Sequence, residues 1–161
     1  MLTRRRFIAI SAAVAPSMAM ANTGPYVETG IALGAKVTLR LHHPDAPQLA
    51  TLAMTEIRRL EGIFSIYLPD SAISRLNHDG TLSAPPFELL DCLSLAGAVH
   101  AASGGRFDPT IQPLWAAEAM ATGRGYPLAD AERAAVRGLT GWDGVTLSPE
   151  AIALRPGMAL T

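Results

Sequence analysis

Phe64-Ser65-Ile66-Tyr67-Leu68-Pro69-Asp70-Ser71-Ala72-Ile73-Ser74-Arg75-Leu76-Asn77 is the segment from which the organisation of this chain unfolds. Upstream of it, apolar side chains recur at Leu49, Leu52, Ala53, Ile57, Leu60 and Phe64, with Arg58, Arg59 and Glu61 facing outward. That is the period of an amphipathic helix, and Gly62 sits near its end. Tyr67-Leu68-Pro69 reads as an extended link. Asp70 or Ser71 can cap a short second helix through about Leu76, and Asn77-His78-Asp79-Gly80 has the composition of a turn. On composition alone Tyr67 is either a core aromatic or a ring offered to a ligand.

Further out, residues 22–30 read as a flexible lead-in. Residues 35–42 alternate, with Val37, Leu39 and Leu41 on one face and Lys36, Thr38, Arg40 and His42 on the other. That is a half-buried strand, broken by Pro44 and Pro47. Pro85 and Pro86 precede a long helix over 87–102, ended by Ser103-Gly104-Gly105. A third helix is expected over about 128–137. Residues 144–147 and 151–154, joined by Ser148-Pro149-Glu150, read as a β-hairpin. Strands and helices mix without steady βαβ alternation, so the class is α+β. Residues 155–161 hold no closing element, and an isolated hairpin wants partner strands, so further sequence is expected beyond Thr161.

The second unusual stretch is Ser103-Gly104-Gly105-Arg106-Phe107-Asp108-Pro109-Thr110-Ile111-Gln112-Pro113-Leu114. Two glycines after a helix allow left-handed backbone and close approach of a ligand. Asp108 precedes a proline and is held extended, which gives its carboxylate a defined direction. Backbone amides near Gly105 to Asp108 could grip the edge of an aromatic heterocycle, with Phe107 packing nearby; a Gly-ended helix and a Pro-rich connection would look the same. The usual catalytic templates are absent: no P-loop, G-x-G-x-x-G, H-E-x-x-H, G-x-S-x-G or C-x-x-C. His42 and His43 are adjacent and face opposite ways on a strand, while His78 and His100 read as surface or satisfied groups. Cys92 is the only cysteine, which excludes an internal disulfide, and reads as a small buried helix residue.

The chain has 161 residues, 49% hydrophobic and 17% charged, enough to bury a core. Thr3-Arg4-Arg5-Arg6-Phe7-Ile8, an apolar run to Ala15 and Ala19-Met20-Ala21 form a tripartite export signal over 1–21. The consecutive arginines point to the twin-arginine route, and the apolar core is too short to span a bilayer. An ordinary secretory signal is the alternative. Without residues 1–21 the chain keeps 10 basic and 14 acidic side chains, and its single lysine, Lys36, argues against a nucleic-acid footprint.

Taken in order, the two stretches resemble the ApbE family of flavin transferases. That family shows Phe-Ser-x-Tyr-x-x-x-Ser-x-(Leu/Ile)-x-x-Leu-Asn and then Ser-Gly-Gly-x-Phe-Asp-Pro-Thr-x-x-Pro-Leu, matched here at 64–77 and 103–114. The resemblance covers about residues 30–161, and it implies an ApbE-like, T-fold-related mixed sheet with packed helices. It implies FAD as substrate, with Mg²⁺-dependent transfer of FMN onto a Ser/Thr hydroxyl of an acceptor flavoprotein and release of AMP. Tyr67 would pack beside the isoalloxazine, and Arg106, Phe107 and Asp108 would bond its edge. Leu33, in Ala32-Leu33-Gly34-Ala35 where the family has a Met-Gly-Thr-like element, would add an apolar contact. The family's metal ligands would lie after Thr161, so no metal ligand is named, and a fragment inactive alone is expected. An exported flavin carrier serving a respiratory reductase, or a non-functional truncated product, are the other readings. Export implies a periplasmic location, with peripheral attachment to the inner membrane compatible with it.

Overall fold

The computed structural model describes residues 24–32 and 34–161. The export signal read at 1–21 and the apolar contact read at Leu33 lie outside the described residues. The chain is α+β, as expected. Strand β1 (Tyr26–Ala32) pairs antiparallel with β2 (Ala35–Leu41), in the register Ala32 opposite Ala35 and Tyr26 opposite Leu41. Residues 26–30 therefore correct the flexible lead-in: β1 exists because β2, a strand of period two, has an edge to offer it. Val37, Leu39 and Leu41 are half-buried and their neighbours exposed, the alternation read from the sequence.

Helix α1 (Ala46–Phe64) begins with Pro47 in its first turn. Its buried residues are Ala46, Ala50, Met54 and Ile63, whereas Leu49 and Leu52 are exposed. The inward face departs from the expected one at Leu49 and Leu52, whereas Leu60 and Phe64 pack against the core as expected. Helix α2 (Ala72–Asp79) is capped by Ser71, whose side chain accepts from the Ser74 amide, and it runs on to Gly80. Asn77, His78 and Asp79 are consequently helical rather than a turn.

Strand β3 (Thr81–Ser83) has no sequence signal, being three residues long, and pairs Leu82 with Ile152. Helix α3 (Phe87–Ala102) matches the expected bounds. Cys92 on it is exposed, not the buried hydrophobe expected, because α3 buries Leu89 and Leu93 instead. Helix α4 (Gln112–Gly123), unread in the sequence, and α5 (Asp130–Arg137) follow. Strands β4 (Val145–Leu147) and β5 (Ala151–Leu154) form the expected hairpin, and β3 joins β5 to give the order β3-β5-β4.

One core gathers Ile63, Ile73, Leu76, Leu82, Leu89, Leu93, Ile152, Leu154, Met158 and Leu160. The third strand and this core supply what an isolated hairpin lacks. Among the described residues no helix is long and apolar enough to cross a membrane.

Candidate functional site

The segment between α1 and α2 is a corner built from serine hydroxyls. Ser65 and Ser71 are buried. Ser71 Oγ donates to the Ser65 carbonyl at 2.6 Å, Ser74 Oγ donates to the same carbonyl at 3.0 Å, and Ser65 Oγ accepts from the Tyr67 amide at 3.2 Å. With its backbone pinned in this way, Tyr67 stands 66% exposed. It is therefore a presented ring, not a core aromatic. Gly34, at φ +72°, turns β1 into β2 directly against that ring: a Cβ placed there would lie 3.5 Å from Tyr67 Cε2. A left-handed turn of this kind is natural to glycine and strained for most other residues.

The other motif is a connection tied at both ends. Gly104 and Gly105 take φ of +62° and +76°, the left-handed backbone expected of them. The Ser103 hydroxyl accepts from the Phe107 amide, and His100 Nδ1 lies 2.8 Å from the Phe107 carbonyl. Arg106 and Phe107 are exposed. Asp108 Oδ1 accepts from the Thr110 amide at 2.9 Å and from Thr110 Oγ1 at 2.6 Å. Thr110 is fully buried and its hydroxyl accepts from the Gly141 amide at 2.7 Å, which anchors the loop to the segment after α5. The direction of the Asp108 carboxylate is thus defined by a turn within its own loop, in addition to the proline that follows.

Tyr67 and the 103–114 motif meet through α4. A hollow of about 120 Å³ is lined by Ile66, Tyr67, Ile111, Gln112, Trp115 and Thr161. A second, of about 490 Å³, continues past Tyr67, Asn77, His78 and Gln112. Thr161 is held there by its amide, which donates to the Pro109 carbonyl. None of the described hollows is lined by Tyr67 together with Arg106, Phe107 or Asp108. Gln112 and Trp115 were not singled out by sequence reasoning. Gln112 lies inside the quoted motif, but only the fold shows that it and Trp115 share a hollow with Tyr67.

Asn77, the last residue of the first motif, is structural. Its Nδ2 donates to the Leu160 carbonyl at 2.9 Å and its Oδ1 accepts from the Leu160 amide at 2.7 Å. Among the described residues no group of three His, Cys, Asp or Glu side chains could hold a metal ion.

A model of the ApbE family matches residues 33–161. Among solved structures, the chain is similar to the flavin transferase ApbE from Vibrio cholerae: TM-score 0.70, 21% identity, covering 84% of this chain and 47% of that one. It is likewise similar to the apo flavinyl transferase ApbE of Pseudomonas stutzeri, with TM-score 0.65 and 22% identity over 85% of this chain and 49% of that one. The ApbE protein of Thermotoga maritima follows, with TM-score 0.64 and 17% identity over 84% and 46%. The chain thus spans about half the length of the structures it matches. No curated protein matches it.

Proposed function

The chain belongs to the ApbE family, and from that premise we propose that it is the flavin-contacting part of an FAD:protein FMN transferase. The observation that carries this reading is the exposed Tyr67 ring, set by a buried serine corner against the Gly34 turn and above the hollow shared with Gln112 and Trp115. An exposed aromatic held by its backbone is a stacking platform for a planar ring, and offset stacking adds about 0.5–1.5 kcal/mol to the area it covers. Leu33 precedes Gly34 and is proposed to extend that platform. The Arg106-Phe107-Asp108 segment is proposed to meet the polar edge of the isoalloxazine, the Phe107 amide itself being taken by the Ser103 hydroxyl.

In the proposed reaction the hydroxyl oxygen of a Ser or Thr on an acceptor flavoprotein bonds to the FMN-side phosphorus of FAD. The pyrophosphate P–O bond breaks, AMP leaves with the bridging oxygen, and the hydroxyl proton passes to a base. Mg²⁺, when bound, would offset the charge of the pyrophosphate in this step. The described residues are proposed to serve flavin binding and orientation. This chain by itself is proposed to bind FAD without completing transfer. The export signal at 1–21 is proposed to direct it to the periplasm, with peripheral contact to the inner membrane.

Titrating the chain with FAD and following flavin fluorescence tests the reading: saturable quenching is expected, together with no AMP release from an acceptor peptide and Mg²⁺. Absence of saturable binding overturns the flavin reading, and covalent flavin on the peptide overturns the assignment of binding alone.

A further inference from the structure

The loop after α3 closes on residue 100 at three points. The His100 carbonyl accepts from the Gly105 amide at 2.9 Å and from the Ser103 hydroxyl at 3.0 Å. Its side chain makes the third closure, with Nδ1 2.8 Å from the Phe107 carbonyl seven positions on. A carbonyl oxygen only accepts, so Nδ1 carries the hydrogen and donates it. The imidazole also packs against Trp142, with 6.4 Å between ring centroids and a tilt of 32°. Trp142 is in turn seated on α3 at Gly97, where a Cβ would stand 2.6 Å from the indole Nε1. The ring is therefore set on both sides, by the loop it bonds and by the indole it touches.

The peptide link between Phe107 and Asp108 is planar, and its C=O and N–H point to opposite sides. Drawing the Phe107 carbonyl towards His100 turns the Asp108 N–H away from it. Of the two amides flanking that carbonyl, Phe107's is taken by the Ser103 hydroxyl, whereas Asp108's has no partner among the described residues. The bonds on either side, from the Phe107 amide to Ser103 and from Thr110 to the Asp108 carboxylate, hold the flanking atoms. They leave the rotation of this one peptide to His100. We infer that His100 is a positioning residue: through the Phe107 carbonyl it aims the Asp108 amide at an acceptor atom of the bound flavin. This rests on the flavin reading above and adds to it the side chain that sets the loop for binding.

The test uses the full 161-residue chain, FAD as the probe, and two variants that differ in donor capacity. His100→Leu removes the donor, and His100→Asn puts a side-chain amide N–H close to the place of Nδ1–H. Circular dichroism and thermal unfolding check that both keep the native fold. Amide hydrogen exchange, resolved by NMR, reads the Asp108 N–H directly. Saturating FAD is expected to slow that exchange about tenfold in the native chain and in His100→Asn, and to leave it unchanged in His100→Leu. FAD affinity by fluorescence titration is expected to fall about fivefold in His100→Leu and to stay within about twofold of native in His100→Asn. Equal slowing in native and His100→Leu overturns the positioning role. So does a His100→Asn chain that behaves like His100→Leu, since the donor would then not be the cause. Asp108 exchange unmoved by FAD, in a native chain that binds it, overturns the contact and leaves the flavin reading standing. A native chain without saturable FAD binding brings down the flavin reading, and this contact with it.

Discussion

Tyr67 and Asp108 come from the two motifs with similar expected roles, and their surroundings separate them. Tyr67 is exposed, so it contributes little to the core, and Tyr67→Ala is expected to leave the thermal midpoint within about a degree of native. The same change is expected to weaken FAD binding about tenfold, read by fluorescence titration, through the lost stacking. Asp108 engages one carboxylate oxygen within its own turn, with Thr110 as the second half of a relay to Gly141. Thr110→Val keeps the shape but leaves the Gly141 amide without its acceptor. We expect a loss of about 1–3 kcal/mol in urea unfolding, with the slope unchanged. The identity of the presented tyrosine was legible in the motif. Its exposure was not, because a Tyr between a helix and a capped turn is equally at home in a core.

Helices α1 and α2 are held by features of different visibility. A cap at Asp70 or Ser71 could be read from the sequence, and the fold selects Ser71. Its second bond, to the Ser65 carbonyl, needed the fold. Ser71→Ala removes both and is expected to cost about 1–2 kcal/mol, measured by thermal unfolding. The tie between α1 and α3 is ionic: Arg59 bonds Glu56 on its own helix and reaches Glu88 on α3 at 2.7 Å. The Arg59 guanidinium beside Glu56 holds that carboxyl below its usual range. Glu88 is held down first by its own backbone amide and then by Arg59. Carboxylates with lowered folded pKa contribute stability above their unfolded pKa and lose it as pH falls through the folded one. Arg59→Met should therefore be slightly less stable than native at neutral pH, and the gap should close on acidification below the carboxylate range. These groups are exposed, so the gap is small and shrinks in high salt. Strand β3 and helix α4 stayed unreadable for different reasons. Three residues carry no periodicity, and α4 has apolar residues on all sides with Ala121 alone buried, so no stripe marks it.

At the scale of the molecule, α3 and α4 are apolar all round yet bury few residues, and Leu95, Val99, Trp115 and Met120 are exposed. Helices of that composition are normally enclosed. Isolated, the 161-residue chain is expected to self-associate with rising concentration, seen as a growing mass in light scattering. Leu95→Lys combined with Trp115→Lys should reduce that growth without lowering helix content by circular dichroism. The sequence alone determined the α+β class, the bounds of α3, the β4–β5 hairpin and the two motifs, because periodicity, caps and turn residues act within a few positions along the chain. Tertiary structure decided that Tyr67 faces outward, that Asn77 clamps Leu160 eighty-three positions away, and that Gln112 and Trp115 share a hollow with Tyr67. Each of those depends on which distant surfaces close over a residue. That closure is a matter of packing in three dimensions, which no local spacing encodes.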